Sequence, residues 1–271
     1  MKASICTACG TQFPPSGAPP PSCPICDEER QFVPPTGQTW TTPDRLRRSH
    51  FTTMREQEPG LIGLGVAPKF GIGQRALLLR TPAGNLLWDC ISLLDPATVQ
   101  AIAALGGLAG IAISHPHYYT AMVEWAQAFS CPVHLHAADR RWVMRHDPAL
   151  RFWDGETHLV LPGVTLIRAG GHFAGGTVLH WRDGAEGQGA LLSGDILAVT
   201  PDGNVSFMWS YPNLIPLSAR SVENVAASVA PYSCERIYGA FWESVVGAQG
   251  HTVVSRSAKR YVEAVEGAHE T

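Results

Sequence analysis

The chain has 271 residues, of which 45% are hydrophobic, so it is long enough to bury one substantial core and to carry a small appendage. Its formal net charge is -3 and it has no long basic or acidic run, which argues against electrostatic binding of nucleic acid or of a membrane surface. The N-terminus has no apolar signal-peptide core, and no apolar stretch approaches the roughly 20 residues that span a bilayer. We therefore expect a cytoplasmic protein whose partner is a small-molecule substrate.

Four of the seven cysteines form two Cys-x-x-Cys pairs near the N-terminus, Cys6 with Cys9 and Cys23 with Cys26. In a chain without a secretory signal, such pairs indicate a metal site before they indicate disulfides. The segment around them is short and rich in proline, so it cannot bury a core of its own and needs a metal held by four thiolates to fold. Gly10, directly after the first pair, suits a turn residue with a positive φ.

These features predict two domains, a four-cysteine knuckle over residues 1–38 and a larger domain over residues 39–271. Four thiolates suit zinc and iron equally, and the fragments 6–10 and 23–26 resemble the knuckles of zinc ribbons and of rubredoxins. The second resemblance implies a redox-active iron. We favour structural zinc, because no other part of the chain has a pattern typical of an electron-transfer partner.

From about residue 40 onward, strand-like and helix-like segments alternate, which predicts a layered α/β protein with sheet at its centre. The predicted strands are 74–80, 86–91, 108–114, 132–136, 158–161, 164–169, 177–181, 190–192 and 236–238. The predicted helices are 96–105, 119–129, 219–229 and 255–265. The first helix has a capping residue in Asp95 and a proline at its first position, Pro96.

One strand of this series ends in two histidines. The apolar run 111–113 is followed by His115, Pro116 and His117, a pattern typical of a buried strand that delivers two imidazoles to a metal. Alternate residues of a regular strand lie too far apart to chelate easily, so we expect a bend here, which Pro116 favours.

Three further polar side chains follow apolar runs in the same way. Asp89 follows one strand, His172 lies in a glycine-rich loop after another, and Asp195 ends the run Leu-Leu-Ser-Gly-Asp. Active sites in α/β proteins form where strand ends meet loops, so residues that are distant in sequence can converge there.

Three fragments resemble the motifs of the metallo-β-lactamase superfamily in their order and approximate spacing. They are His115-x-His117, Gly171-His172 and Ser193-Gly194-Asp195. The resemblance covers roughly residues 50–270 and implies an αβ/βα sandwich of two mixed sheets with helices outside. It also implies that the three histidines belong to the family's first metal site. Asp195 matches the carboxylate that normally bridges two metals, and Asp89 matches an aspartate that supports a ligand.

The chain departs from this family at the second metal site. The family motif continues with Asp at the position of Tyr119 and with His at Thr120, and its last metal-binding His falls where this chain has residues 239–241, Gly-Ala-Phe. All three ligands peculiar to the second site are missing together, whereas those of the first are intact. We therefore predict one metal, held by three imidazoles and Asp195.

The superfamily includes hydrolases of esters, thioesters, lactams and phosphodiesters, and also some iron-dependent oxidations of thiols. Three neutral imidazoles leave zinc its full charge, which brings the pKa of a bound water toward about 7 and supplies hydroxide. We predict a mononuclear zinc hydrolase of a small ester, thioester or amide, with Asp195 as ligand or proton acceptor. Tyr119 is either an acid or oxyanion donor, or a filler of the vacant second site.

Two alternatives remain open at this point. Iron(II) suits the same ligands, so the chain can be an iron-dependent oxidoreductase that resembles a thiol dioxygenase. The other alternative is a binding or scaffold protein that kept the fold after losing the second metal site. We expect His134 and His136 to make local hydrogen bonds, His251 to lie on the surface, and the aromatic segment 207–213 to line a pocket or the core.

Overall fold

The computed structural model describes residues 2–268, and its backbone divides into two compact units. Unit 1 comprises the residues up to Leu135 together with Arg140–Phe152, and unit 2 comprises His136–Asp139 and the residues from Trp153 onward. The domain boundary at residue 38 stays a prediction, and the outer ends of the two predicted domains, residues 1 and 269–271, lie outside the described residues. No helix in the described part is long and apolar enough to span a membrane.

The first nine strands, in chain order, are β1 (Ile5–Cys6), β2 (Trp40–Thr41), β3 (Phe51–Glu58), β4 (Leu61–Ala67), β5 (Ala76–Thr81), β6 (Gly84–Trp88), β7 (Gly110–Ala112), β8 (Val133–His136) and β9 (Leu150–Trp153). The helices of this part are α1 (Pro24–Asp27), α2 (Pro43–Leu46), α3 (Pro96–Ala104) and α4 (Met122–Phe129). The 3-10 helices are Pro116–Tyr118 and Ala137–Trp142.

Strands β3 to β9 form one mixed sheet in sequence order. Neighbours are antiparallel from β3 to β6, whereas β6, β7 and β8 run parallel, with Trp88 opposite Ala112 and Ala112 opposite His134. Strands β6 and β7 are buried almost throughout, as parallel strands covered on both faces require. Because they are parallel neighbours, the residues that follow Trp88 and Ala112 leave the sheet at the same edge.

Local signals explain where several of these elements begin and end. Helix α3 begins as predicted, because the Asp95 side chain accepts a hydrogen bond from the Thr98 backbone and Pro96 occupies the first turn. Strand β6 ends at Trp88, three residues before its predicted end, because Asp89 adopts φ +63°. Helix α4 begins at Met122 rather than at residue 119, because the preceding residues form the 3-10 turn at Pro116–Tyr118.

The remaining strands are β10 (Thr157–Leu161), β11 (Val164–Arg168), β12 (Thr177–Trp181), β13 (Ala190–Gly194), β14 (Ala198–Val199), β15 (Val205–Ser206), β16 (Met208–Ser210), β17 (Ile215–Pro216), β18 (Arg236–Gly239) and β19 (Val245–Val246). The remaining helices are α5 (Gly184–Gly187), α6 (Ala219–Val229) and α7 (Gly250–Val265).

Unit 2 is built on a six-stranded sheet in the order β10-β11-β12-β13-β18-β19. Only β13 and β18 among these neighbours are parallel, so this sheet is also mixed, as predicted. The valines that α6 and α7 direct inward share one buried cluster with β13 and β18. Helix α6 has its predicted bounds, whereas α7 begins five residues early, after Gln249 in a left-handed conformation.

Candidate metal centres

Within residues 2–268, buried residues that can each offer one ligand atom to a metal lie in both units. Unit 1 contains Cys6, Cys9, Cys23 and Cys26, and also the pair His115 and His117. Unit 2 contains His172 and Asp195. The sequence predicts these residues as candidate ligands.

The four cysteine sulfurs of unit 1 lie within 4.8 Å of one another. The Sγ atoms of Cys6 and Cys26 are 3.7 Å apart, and those of Cys9 and Cys23 are 3.6 Å apart. A tetrahedron of sulfurs about 2.3 Å from a central ion has edges of about 3.8 Å, so the cluster fits a tetrahedral metal. This spacing suits zinc and iron alike.

Two tight turns bring these sulfurs together. The Gly10 amide donates to the Cys6 carbonyl at 2.9 Å, and the Cys26 amide donates to the Cys23 carbonyl at 2.9 Å. Gly10 has φ +84°, as predicted, and a Cβ at this position would lie 2.1 Å from the Ser92 Oγ. Both the backbone conformation and the close packing therefore require glycine here.

Contacts among the four thiols move their pKa values in opposite directions. The contact with Cys23 lowers the pKa of Cys6, and the contact with Cys26 lowers the pKa of Cys23. The contact with Cys23 raises the pKa of Cys9 and that of Cys26. A dication bound by the four sulfurs would displace the protons that the thiols carry.

The remaining three cysteines lie outside the sulfur cluster. Cys90, Cys131 and Cys234 are buried free thiols. Burial raises the pKa of Cys131 to about 11 and that of Cys234 to about 12. It also raises the pKa of Cys90. Such thiols remain protonated at neutral pH and are poor nucleophiles.

The histidine pair of unit 1 follows β7 in the bend that Pro116 predicts. His115 is extended, and Pro116 begins the 3-10 turn that contains His117. Both imidazoles are buried, and their ring centroids lie 5.1 Å apart with planes 77° from parallel. The Gln74 side chain donates to the His117 carbonyl at 3.0 Å and so fixes the backbone of the turn.

A chain of hydrogen bonds fixes the proton on His115. The Asp89 Oδ1 accepts from both the amide and the hydroxyl of Ser114, each at 2.7 Å. Because the single hydroxyl proton of Ser114 is thus donated to a carboxylate, the Ser114 Oγ accepts from the His115 Nδ1 at 2.8 Å. A proton held on Nδ1 leaves the lone pair of His115 Nε2 available for a metal.

Asp89 reaches this position at a conformational cost, since its φ of +63° lies in the left-handed region that residues other than glycine seldom adopt. Its amide donates to the Ala112 carbonyl at 2.8 Å, which ties the end of β6 to the end of β7. A strained residue that supports a candidate ligand indicates a functional constraint on the site.

Replacing Ser114 by alanine is expected to lower the affinity of the histidine site for zinc about 10- to 100-fold, the usual effect of losing a group that orients a metal-binding imidazole. Chelator competition on the purified chain measures this change. Ser255→Ala is the matched control, because this serine is exposed on α7. Equal affinity in Ser114→Ala and in the wild-type chain would contradict the role of the Asp89–Ser114–His115 chain.

His172, in unit 2, has its proton held on Nδ1 as His115 does, but by different groups. His172 follows Gly170 and Gly171, both with positive φ. Its Nδ1 lies 2.9 Å from the Trp209 carbonyl and 3.2 Å from the Met208 carbonyl. Carbonyl oxygens only accept, so His172 carries its proton on Nδ1 and has its Nε2 lone pair available for a metal.

Asp195 leaves the buried end of β13, and Tyr211 holds its backbone. The Tyr211 hydroxyl donates to the Asp195 carbonyl at 2.7 Å, and the Tyr211 ring contacts the ring of His172 with centroids 5.4 Å apart. Burial, and secondarily the charge of Asp195, raises the pKa of Tyr211, which therefore stays a neutral donor. Tyr211 is a positioning residue that the sequence indicates only as part of the aromatic segment 207–213.

The register of unit 2 shows which residue lies where the resemblance implies a last metal-binding histidine. Strands β13 and β18 are parallel, with Gly194 opposite Gly239. The next residues, Asp195 and Ala240, therefore leave the sheet at the same end. Ala240 is buried and carries only a methyl group, so this position offers no ligand atom.

The other two replaced positions lie in unit 1. Tyr119 and Thr120 are both buried, between the 3-10 turn and α4. The Thr120 carbonyl accepts from the amide of Gln12, in the knuckle, at 3.0 Å. The roles of Tyr119 as an acid, an oxyanion donor or a filler stay predictions.

The histidines expected to lie outside the site have other surroundings. The His136 ring contacts the Gly155 carbonyl at 3.1 Å and accepts from the Ala138 amide at 3.2 Å, which confirms its predicted local hydrogen bonding. His251 is exposed in the first turn of α7, as predicted.

One comparison of the whole sequence decides the family. The chain is 48% identical over 264 residues to the uncharacterized protein YmaE of Bacillus subtilis (strain 168), and the match covers 96% of each protein. The chain belongs to the YmaE family. No family model matches it.

Solved structures show which fold the chain has. The DIM-1 metallo-β-lactamase has a TM-score of 0.58 at 11% identity, with 79% of this chain and 98% of that one covered. FIM-1 from Pseudomonas aeruginosa, in its mono-zinc form, has a TM-score of 0.56 at 16% identity, with 78% and 96% covered. A metallo-β-lactamase from Hirschia baltica has a TM-score of 0.54 at 14% identity, with 78% and 97% covered. The predicted αβ/βα metallo-β-lactamase fold is confirmed.

Proposed function

We propose that the chain is a metal-dependent hydrolase in which His115, His117, His172 and Asp195 together bind one zinc ion. The observation that carries the proposal is the hydrogen bonding of two imidazoles at their Nδ1 atoms. Ser114 holds the proton of His115 on Nδ1, and the Trp209 carbonyl does the same for His172. Two histidines in separate units thus have their Nε2 atoms prepared as ligands by independent hydrogen bonds.

A single metal fits the residues that the chain has in place of a second site. The positions where the resemblance implies further ligands are occupied by Tyr119, Thr120 and Ala240. None of these side chains is a usual ligand of zinc in proteins. The likeness in fold to FIM-1, which has been obtained in a mono-zinc form, also supports one metal.

A zinc ion held by His115, His117, His172 and Asp195 would supply an activated water as the nucleophile at neutral pH. Asp195 would either complete the ligand set of that ion or hold a proton on its carboxylate. Tyr211 holds the Asp195 backbone so that the carboxylate keeps its position. Tyr119 would serve either as an acid or donor to the substrate oxygen on which negative charge develops, or as a filler of the position where a second metal would lie.

The proposed substrate is a small ester, thioester or amide, because one activated water is sufficient for acyl transfer to water. In the knuckle, we propose a structural zinc ion on the four cysteines. The spacing of the sulfurs and the short, proline-rich sequence around them support this second metal.

The test is hydrolysis of 4-nitrophenyl acetate, an acetyl thioester and a chromogenic β-lactam by the zinc-loaded chain. We expect turnover of at least one of these substrates. In His172→Ala, we expect the rate of hydrolysis to fall by about 100-fold or more. The matched control, His251→Ala, is expected to retain activity because His251 is exposed. Activity that His172→Ala leaves unchanged would contradict the proposal. Oxygen consumption with a thiol by the iron-loaded chain, without hydrolysis, would favour the oxidoreductase instead.

A further inference from the structure

The four-cysteine knuckle is bonded directly to the loop that carries His115 and His117. The Gln12 amide donates to the Thr120 carbonyl at 3.0 Å, and the Ser92 hydroxyl donates to the Gly10 carbonyl at 3.0 Å. Gln12 is three residues after Cys9, and Thr120 is three residues after His117. A short, buried path therefore joins a cysteine ligand to a histidine ligand within unit 1.

The side chain of Gln12 extends this connection to the helix that follows the histidines. Its Nε2 donates to the Glu124 carboxylate on α4 at 2.8 Å, and its Oε1 accepts from Arg145. Arg47 also pairs with Glu124. Gln12 is only 2% exposed, so these bonds are shielded from water. The knuckle thus holds both the backbone of the loop at Thr120 and the first turn of α4.

A third segment, the loop at residues 71–74, contacts both the knuckle and the histidine loop. A Cβ at Gly71 would approach the backbone of Cys9 and Gly10 to 3.2 Å, so this loop packs tightly on the knuckle. Three residues later, Gln74 donates to the His117 carbonyl. The knuckle, the loop at 71–74 and the histidine loop therefore pack as one body, in which a shift of one displaces the others.

We propose that the metal of the four-cysteine knuckle is a structural cofactor of the histidine site, because it orders the segment Gly10–Gln12 that positions His115 and His117. Gln12 and Ser92 are the positioning residues. Without its metal, the proline-rich segment has no core to hold it in place, and the histidine loop loses its anchors at Thr120 and α4. This inference rests on the proposed function only in assuming that the histidines bind a metal.

Cobalt(II) distinguishes the two sites in one sample, because cobalt bound to thiolates gives an intense charge-transfer absorption that cobalt bound to imidazole and carboxylate lacks. The double variant Gln12→Ala/Ser92→Ala removes the side-chain bonds to Glu124, Arg145 and Gly10 and keeps the backbone bond to Thr120. We expect the dissociation constant of the histidine-site cobalt to rise about tenfold in this variant, with the thiolate band unchanged. The control Thr7→Val removes a knuckle hydrogen bond to Thr39, on a different segment, and is expected to change neither signal.

Cys9→Ser provides a second, independent measurement. This change removes one of the four thiolates, and we expect the histidine-site affinity to fall by at least the same tenfold. Histidine-site affinity within twofold of the wild-type value in Cys9→Ser would overturn the coupling. Unchanged affinity in the double variant, or loss of its thiolate band, would overturn the assignment to Gln12 and Ser92. A wild-type chain that binds cobalt at the thiolates alone would overturn the proposed function as well.

Discussion

Removal of one candidate imidazole is expected to abolish tight metal binding at the histidine site. In His115→Ala or His172→Ala, the dissociation constant for zinc should rise more than about 100-fold, since loss of a ligand costs more than the 10- to 100-fold loss caused by removing its supporting group. The physical reason is that each imidazole has its Nε2 prepared by a hydrogen bond at Nδ1, and the variant replaces that ligand by a methyl group. Chelator competition and elemental analysis of the purified variants measure the effect.

The control for this prediction is His251→Ala, because His251 is a histidine outside the candidate ligand set. It is exposed on α7, and we expect its removal to leave zinc affinity unchanged. A large loss of zinc in His251→Ala, or none in His115→Ala, would show that the metal is held by a different set of residues.

Loss of the knuckle metal is expected to lower the stability of the chain by several kcal/mol. Apparent binding free energies of structural zinc in small Cys-containing folds are about 10–16 kcal/mol, and most of this energy is available only to the folded segment. In Cys23→Ser, one vertex of the sulfur tetrahedron is replaced, so we expect one metal fewer per chain and a lower midpoint in urea unfolding.

Cys131→Ala is the matched control for the knuckle, because Cys131 is a buried free thiol outside the sulfur cluster. It is expected to keep the full metal content and to lose only the small stability associated with a buried side chain. Unchanged metal content in Cys23→Ser would contradict the four-cysteine site. Equal unfolding midpoints in Cys23→Ser and in the wild-type chain would contradict its structural role.

The sequence predicts the elements of the fold well where a periodic apolar pattern meets a clear capping signal. Helix α3 illustrates this, since Asp95 caps it and Pro96 occupies its first turn. The errors fall where the backbone bends for the site. Strand β6 ends early because Asp89 takes a left-handed conformation, and α4 begins late because the 3-10 turn carries His117. Local pattern rules describe regular backbone, and these residues depart from it.

The candidate ligands are also readable from the sequence, because His-x-His and Cys-x-x-Cys spacings reflect the geometry of chelation itself. Their supporting groups are harder to predict. The His172 proton is held by the backbone carbonyls of Met208 and Trp209, and any residue types at those positions would supply the same atoms. Tyr211 reaches the Asp195 backbone, a contact that depends on the tertiary fold and leaves no pattern of spacing.

The contact between the knuckle and the histidine loop is invisible in the sequence for a related reason. It joins Gln12 to Thr120 through backbone atoms that are more than a hundred residues apart. The knuckle and the histidine loop both belong to unit 1. The departure of Thr120 from the family motif is clear in the sequence, but its contact with the knuckle is found only in the structure.

The measurement that tests the central claim most directly is the metal content of the purified wild-type chain beside Cys23→Ser and His172→Ala, by elemental analysis with zinc supplied in excess. We predict two zinc ions per wild-type chain and one fewer in each variant, so that each set of ligands accounts for one ion. Three metals per chain would show that a second ion binds beside the histidine site. One metal per wild-type chain, lost only in Cys23→Ser, would show that the histidines and Asp195 hold none, and would contradict the account.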